Sequence, residues 1–416
     1  MSAETKQKRV LIAGAGAAGL TAAIFAAEAG AEVVLLERTN KAGKKILMSG
    51  GTRCNVLPVV ATLDDYHTSS SKNMLKRIFK TWSVDGCMKW FTEDIGLKLA
   101  CETESNKWFP ESNSAKEVRD LMLQKAETLG VKVVYEAAIE RLEQLPENRW
   151  SVHTKGGGSF EGDAVIIATG GLSVPTIGTD GMGHVVMRQI GHKAGPVYPA
   201  LTPLTGDYQP HKDLSGLSLN VQVDVYSGDK KTTEANRSGF LFTHKGYSGP
   251  AVLDVSHFRH PEYINITAKN KEQTQYLINW DGATREDWDK RLVGKGHVSG
   301  VLSSHLPKRL ADLITKEAGL EGRKVAEIKK NERKTLLKLL TSYPLPVSGD
   351  EGYKKAEVTG GGVPLDEINT ANMESRKFPN LFLCGEIMDV FGRIGGFNFY
   401  WAWVSGRLAG MKAGGE

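Results

Sequence analysis

The feature that most constrains this chain lies near its start. Val10-Leu11-Ile12-Ala13 is a short apolar run that feeds into Gly14-Ala15-Gly16-Ala17-Ala18-Gly19. An Ala-rich helical pattern follows over residues 20–30, with Leu20, Ile24 and Ala27 on one face and Gly30 as its stop. Glu32-Val33-Val34-Leu35-Leu36 then reads as a second strand ending at Glu37. Strand, G-x-G-x-x-G turn, helix and strand together form a βαβ unit, the context in which that turn cradles a pyrophosphate. Gly14 permits the tight turn, Gly16 lets the backbone approach the phosphates, and Gly19 lets helix and strand pack closely. The helix amino terminus supplies N–H groups and partial positive charge. Glu37 is placed to accept hydrogen bonds from adenosine ribose hydroxyls, and an acid there selects a free 2′-hydroxyl. The unit predicts a dinucleotide and does not separate FAD from NAD.

Three further segments bear on that choice. Gly43-Lys44-Lys45-Ile46-Leu47-Met48-Ser49-Gly50-Gly51-Thr52-Arg53-Cys54-Asn55 follows the ribose-binding strand. Asp163-Ala164-Val165-Ile166-Ile167-Ala168-Thr169-Gly170-Gly171 is an apolar strand ending in a small-residue turn. Leu381-Phe382-Leu383-Cys384-Gly385-Glu386 is a late apolar strand ending in an acid, followed by Asp389 and Gly392-Arg393-Ile394-Gly395-Gly396-Phe397-Asn398. At these residues the chain resembles the BaiN-like, or aminoacetone-oxidase-like, family of NAD(P)/FAD-dependent oxidoreductases. Its usual signatures are S-G-G-G-R-C-N-x-T-N early and G-E-x-x-D-x-x-G-x-x-G-G-Y-N-x-Q-W-A-x-x-S-G late. Lys107-Trp108-Phe109-Pro110, the stretch from Gly239-Phe240-Leu241-Phe242-Thr243-His244 through Gly246-Tyr247-Ser248-Gly249-Pro250, and Ala356-Glu357-Val358-Thr359-Gly360-Gly361-Gly362-Val363 are similar to its landmarks, so the likeness spans almost the whole chain. Departures are Thr52 for the third Gly, Leu57-Pro58 for Thr-Asn, Phe397 for Tyr and Tyr400 for Gln. They touch the identity of the substrate more than the binding of the cofactor.

The resemblance implies an α/β fold: a two-dinucleotide-binding, Rossmann-like FAD domain with an inserted β-barrel-like unit and a small helical unit. The expected boundaries are 1–195 with 345–416 for the FAD domain, 196–258 with 341–349 for the barrel-like insert, and 259–340 for the helical insert. FAD is implied as the cofactor, with NADH or NADPH as a transient donor, because no second G-x-G-x-x-G follows an internal strand. The cofactor-binding residues carried over are Gly14, Gly16, Ala17, Ala18, Gly19, Glu37, Arg38, Lys44, Lys45, Ser49, Gly50, Gly51, Arg53, Cys54 and Asn55 in the amino-terminal part. Later in the chain they are Ala168, Thr169, Gly170, Gly171, Gly385, Glu386, Asp389, Gly395, Gly396, Phe397 and Asn398. The late acid is expected at the ribityl hydroxyls or pyrophosphate, and the helix after it at the flavin's N1–C2=O edge, where its dipole favours the reduced ring.

Composition is that of an ordinary globular protein and excludes few classes. Of 416 residues 40% are hydrophobic and 24% charged, values ordinary for a packed protein. Cys54, Cys87, Cys101 and Cys384 are widely spaced with no C-x-x-C pair, which argues against zinc and a dithiol relay and fits a reducing cytosol. Met1 to Arg9 is polar and lacks the apolar run of a signal peptide, and glycines interrupt the uncharged stretch 10–27, so a cytoplasmic protein without a membrane span is expected. Residues 301–340 hold ten Lys or Arg against five Asp or Glu, an excess that equals the whole chain's net charge of +5. Clustered on one face, Lys308, Arg309, Arg323, Lys324, Lys329, Lys330, Arg333, Lys334 and Lys338 would attract a phosphate backbone. The alternative is a solvated helical surface with Glu327 and Glu332 as partners.

The resemblance implies hydride transfer from reduced flavin to an activated C=C bond, with a nearby acid protonating the other carbon. It names three substrate classes: an enone such as a 3-oxo bile acid, a uridine of large-subunit ribosomal RNA, or an amine. Ribosomal RNA held by the basic helices is the favoured partner, a small molecule the alternative, and neither membrane nor DNA is expected. For the acid, Cys54 sits in the flavin-proximal loop, with packing beneath the ring as its other reading. His244, with Tyr247, forms a polar–aromatic cluster that serves either substrate or the barrel. Tyr400 either stacks on a base or packs the flavin helix. Arg53 and Arg393 meet phosphate or flavin carbonyls, or else pair with neighbouring acids.

Overall fold

A computed structural model of the chain describes residues 7–260, 263 and 274–415, with 234–236 described by their backbone alone. Met1 to Lys6 and residues 261, 262 and 264–273 of the expected helical insert lie outside the described residues. The chain divides into two compact units, 1–199 with 358–416, and 200–357.

The first unit is built on a five-stranded sheet. Its strands are β1 (Arg9–Ala13), β2 (Glu32–Leu36), β3 (Lys132–Val134), β4 (Ala164–Ile167) and β5 (Leu381–Leu383). The order is β5-β4-β1-β2-β3, and every neighbouring pair is parallel. Parallel strands covered on both faces need continuous apolar runs, and Val10, Leu11, Ile12, Val165, Ile166, Leu381 and Leu383 are indeed fully buried. The α/β, Rossmann-like class read from the sequence holds. Because β1, β4 and β5 run in parallel, Gly14, Ala168 and Gly385 all emerge at the carboxyl edge of the sheet, where open α/β sheets bind ligands.

What brings the two ends of the chain together is a stripe of small residues. Helix α1 (Ala17–Glu28) packs along the terminal helix α2 (Phe397–Gly414). A Cβ on Gly406 would lie 2.5 Å from the carbonyl oxygen of Ala18, one on Gly410 2.4 Å from that of Ala22, and one on Gly414 2.8 Å from that of Ala26. Glycines at i, i+4 and i+8 thus face alanines at the same spacing, and the two backbones meet with no side chain between them. The rest of α2 is buried nearly all round, with Trp401, Trp403 and Val404 in the core.

The second unit contains a seven-stranded sheet. Ser218–Ser227 and Lys230–Phe242 form its long hairpin, and Tyr343–Pro344 and Gly349–Asp350 are its two edges. A flat sheet of seven strands is about 29 Å wide, whereas five residue steps span at most about 18 Å. The sheet therefore curls round until its edges approach. Its core is aromatic, with Phe240, Phe242, Tyr247, Trp280 and Trp288 all at or below 1% exposure.

Two expectations on organisation are corrected here. Thr274–Asn279, expected among the helices of 259–340, is a strand paired with Ser218–Ser227, its Tyr276 and Ile278 pointing into the core. Residues 350–357, expected in the FAD domain alone, belong to the second unit, where Asp350 pairs with Leu204. The chain returns to the first unit only at Val358. Helices Arg285–Arg291, Val298–Ser303, Lys308–Glu317 and Lys330–Thr341 pack on the sheet's core through Trp288, Leu302, Leu310, Ile314, Leu336 and Leu340.

Candidate cofactor site

The three glycines of the amino-terminal turn serve three different needs. Gly14 has φ +106°, and a Cβ there would lie 2.4 Å from the carbonyl oxygen of Ala168 at the end of β4. On Gly19 a Cβ would lie 1.8 Å from the carbonyl oxygen of Gly14, so no other residue lets the helix start this close to its strand. Gly16 is the opposite case: its Cβ direction meets nothing within 4 Å. Gly16 is also the cap of α1, where no side chain among the described residues bonds the exposed N–H groups and no acid sits in the first turn. The positive end of the helix is open for an anion. Ala17 and Ala18 form its first turn.

Glu37 closes the turn from the side. Its carboxylate accepts from the N–H of Ala15 at 3.1 Å and from the N–H and hydroxyl of Thr39 at 2.8 Å each. A carboxylate has about four lone-pair sites, so capacity for about one further donor such as a ribose hydroxyl is left. Arg38 turns away to pair with Asp180.

The next loop bends through left-handed backbone. Gly43 has φ +68°, and Gly50, Gly51, Thr52 and Cys54 have φ of +55°, +65°, +74° and +65°. Thr52, which stands where the resembling pattern has its third glycine, carries a β-branched side chain in that conformation, at a cost of about 1–2 kcal/mol. Lys44 is half-buried, and the Ser49 hydroxyl donates to the carbonyl of Ile46 at 2.8 Å. Arg53 pairs with Glu102 at 2.8 Å and lies 3.8 Å over the Phe109 ring.

Lys45 reaches across the fold. Its ammonium lies 2.5 Å from both the Ser173 hydroxyl and the Glu386 carboxylate. The other oxygen of Glu386 accepts from Ser173 at 3.0 Å and from the Thr359 N–H at 2.8 Å. Burial alone would raise this carboxyl, but the Lys45 ammonium and the hydrogen bonds hold it below the usual carboxylate range. Gly171 is required beside it, because a Cβ there would lie 2.2 Å from the Thr359 hydroxyl. Gly170 takes the left-handed turn before it, with φ +72°. Neither Ser173 nor Thr359 was singled out from the sequence, although Thr359 lies in a quoted landmark.

At the carboxy-terminal side the Gly385 N–H donates to the Ser405 hydroxyl at 3.0 Å, and a Cβ on Gly385 would lie 2.7 Å from that of Ala18. Asp389 accepts from the N–H of Ser69 at 2.8 Å and from its hydroxyl, and burial pushes its carboxyl up to about 6. Gly395 and Gly396, with φ of +123° and +91°, open α2. The Asn398 amide locks that turn by bonding both the N–H and the carbonyl of Gly392 at 2.8 Å. The Arg393 guanidinium pairs with Asp65 at 2.5 Å and covers the Phe397 ring at 4.4 Å.

Does this arrangement fit a dinucleotide? Besides the open helix end at Gly16, the buried Asn55 Oδ1 and Thr169 Oγ1 have no hydrogen-bond partner within the described residues. Buried polar atoms are rarely left so, and both belong to segments that the sequence assigns to the cofactor. The residues fit the group.

Several expected roles change. Cys54 is fully enclosed by protein, its thiol bonded to Ser49 and pushed up to about 12 by burial, so it is not a proton donor open to substrate. Tyr400 is 3% exposed, its hydroxyl donates to the carbonyl of Trp82 at 2.6 Å, and its ring stacks on Phe79; it packs α2 rather than meeting a base. Arg38 pairs with Asp180, Glu386 pairs with Lys45, and Asp389 accepts from Ser69. Arg53 and Arg393 take the ion-paired alternative. His244 is exposed in the turn after Phe242, while Tyr247 is buried with its hydroxyl 2.8 Å from His211 Nδ1.

With the geometry established, comparison with known proteins decides the family. A family model described as the HI0933-like protein Rossmann domain matches residues 8–412. The chain belongs to the HI0933-like family. Among its relatives, a ribosomal RNA dihydrouridine synthase of Escherichia coli is 30% identical over 404 residues, covering 95% of each chain. A 3-dehydro-bile acid delta(4,6)-reductase of Clostridium scindens is 28% identical over 415 residues, covering 97% of this chain and 98% of that one. Of solved structures, a 3-ketosteroid delta1-dehydrogenase from Sterolibacterium denitrificans shares the fold at a TM-score of 0.51 and 12% identity, covering 99% of this chain and 100% of that one. This HI0933-like chain thus has full-length relatives, and the resemblance read from its motifs holds.

Proposed function

We propose that this chain, an FAD-dependent oxidoreductase, reduces a C=C bond conjugated to a carbonyl, and that its substrate is a uridine of large-subunit ribosomal RNA, which becomes dihydrouridine. The observation that carries this reading is the 30% identity to the Escherichia coli enzyme across 95% of both chains. The Clostridium scindens relative supports the reaction class, since its named substrate also has double bonds in conjugation with a carbonyl. In a uridine the carbon β to the carbonyl is electron-poor and takes hydride while the α carbon takes a proton, and in a dienone the δ carbon is activated in the same way. FAD, when bound, supplies the hydride chemistry, and NADH or NADPH is the proposed reductant.

The chain's own residues divide the remaining tasks. The open amino terminus of α1 and Gly16 receive the pyrophosphate, and the last free site of Glu37 receives a ribose hydroxyl. Asn55 and Thr169 offer their unpaired oxygens to the cofactor. Lys45, Ser173 and Glu386 hold the two ends of the chain in register around it.

Mass spectrometry of ribosomal RNA from cells with and without the gene tests the substrate. Loss of a dihydrouridine supports the reading, and an unchanged RNA overturns it. The second reading, favoured by the bile acid reductase likeness, is a small-molecule enone reductase. Loss of enone absorbance on incubation with NADH or NADPH and a 3-oxo steroid, beside an unchanged RNA, selects it.

A further inference from the structure

The helices of the second unit use their two kinds of cation differently. Four of the arginines are stitched into the fold, while Arg285 is exposed. Arg291 pairs with Asp281 at 2.5 Å, and Arg333 with Asp289 at 2.6 Å while also donating to the carbonyl of Leu292 at 2.9 Å. Arg323 lies 3.5 Å from Glu332 and 3.7 Å from Glu327, and Arg309 donates to the carbonyl of Asp213 at 2.5 Å. The carboxylates are largely used as well. Glu327 and Glu332 also accept from the N–H groups of Lys324 and Lys329, and Glu317 accepts from the hydroxyls of Tyr208 and Tyr343. Only Asp312 and Glu321 of this segment stand outside such bonds among the described residues.

The lysines are left over. Lys308, Lys324, Lys329, Lys330, Lys334 and Lys338 are all exposed, and none takes part in an ion pair among the described residues. Lys330, Lys334 and Lys338 lie at i, i+4 and i+8 along the helix Lys330–Thr341, one row opposite the buried Leu336 and Leu340. Successive ammonium groups in such a row rise by about 6 Å. The row is an uncompensated line of point charges on a rigid support.

We propose that this lysine row, resting on the RNA reading given above, holds the phosphate backbone of the substrate RNA. Lysine, unlike the forked guanidinium, is a point charge suited to phosphate without base readout. A lipid surface is the poorer occupant. The apolar face of this helix is spent on the unit's core, so nothing is left to insert among acyl chains.

The test is the full-length Lys330→Gln/Lys334→Gln/Lys338→Gln variant, with fluorescence anisotropy on a protein-free fragment of large-subunit ribosomal RNA across a salt series. Binding should weaken at least tenfold at about 0.1 M salt, and the slope of log affinity against log salt should become shallower by about 2–3. Flavin content and melting temperature should match the parent. Equal affinity and equal slope overturn the proposal. So does loss of binding to vesicles containing phosphatidylserine with RNA binding intact, which assigns the row to a lipid surface. The substrate reading is scored separately. If deleting the gene removes a dihydrouridine while the variant binds RNA normally, only the surface is wrong. If deletion leaves the RNA unchanged, the substrate is wrong and this partner with it.

Discussion

The two units of this chain choose their residues by different criteria. In the first, single positions answer to backbone geometry: Gly14 and Gly19 stand where any Cβ would meet a carbonyl oxygen at 2.4 Å or less. In the second, Gly246 and Gly249 meet the same demand, each with a carbonyl oxygen at 2.4 Å, but the aromatic core around Phe242 and Trp280 answers to packing that many side chains satisfy. The first kind of requirement leaves a mark in one sequence, since only glycine meets it. The second leaves little, because an apolar residue of about the right size suffices.

That contrast predicts a steep gradient of mutational effect. The largest belongs to Gly19→Val, whose added carbons must displace the Gly14 carbonyl. It should cost more than about 4 kcal/mol and abolish flavin retention, read by thermal melting and visible absorbance. A variant that melts normally and stays yellow breaks the comparison.

A middle-sized effect is expected where the second unit does contain a specific polar chain. Tyr343 donates to Glu317 at 3.0 Å, so the His211 Nε2–H at 3.0 Å donates to Tyr343, and Nδ1 is left to accept from the Tyr247 hydroxyl. This order requires neutral His211, and burial pushes it down to about 4. The folded state then binds fewer protons than the unfolded one between about pH 6.5 and 4, so this stabilisation is full above that window and is lost as pH falls through it. Between pH 7 and pH 5 the parent should lose about 2 kcal/mol more than His211→Gln, as measured by urea unfolding. Equal losses would show that the chain tolerates His211 charged.

The smallest effect has the opposite sign. Gly300, inside the helix Val298–Ser303, meets nothing within 4 Å of its Cβ direction and has no left-handed φ. Gly300→Ala should stabilise the protein by about 0.5–1 kcal/mol through helix propensity, raising the melting temperature slightly. A loss of stability there would show a geometric demand that the structure does not contain.

The same contrast explains how much was legible. The βαβ unit and its turn could be read residue by residue, because apolar run, glycine spacing and terminal acid are all local. The glycine row of α2 was equally local, at Gly406, Gly410 and Gly414, and is a signal that sequence reading passed over. Glu386 shows where reading stops: its partner Lys45 lies 341 residues away, and no local pattern announces that an acid is already paired. Cys54 kept two readings for the same reason: its loop position is local, but the enclosure that selects packing is tertiary. Thr274–Asn279 is a strand of six residues beside charged helices, too short for its alternation to outweigh its surroundings.

The flavin itself can be sought directly by recording the visible spectrum of the purified protein and identifying what it releases on denaturation. Flavin absorption bands and intact FAD, in amounts approaching one per chain, are the expected result. A colourless protein, or one releasing no FAD, would mean that the glycine turn at one end and the acid strand at the other do not meet around this cofactor.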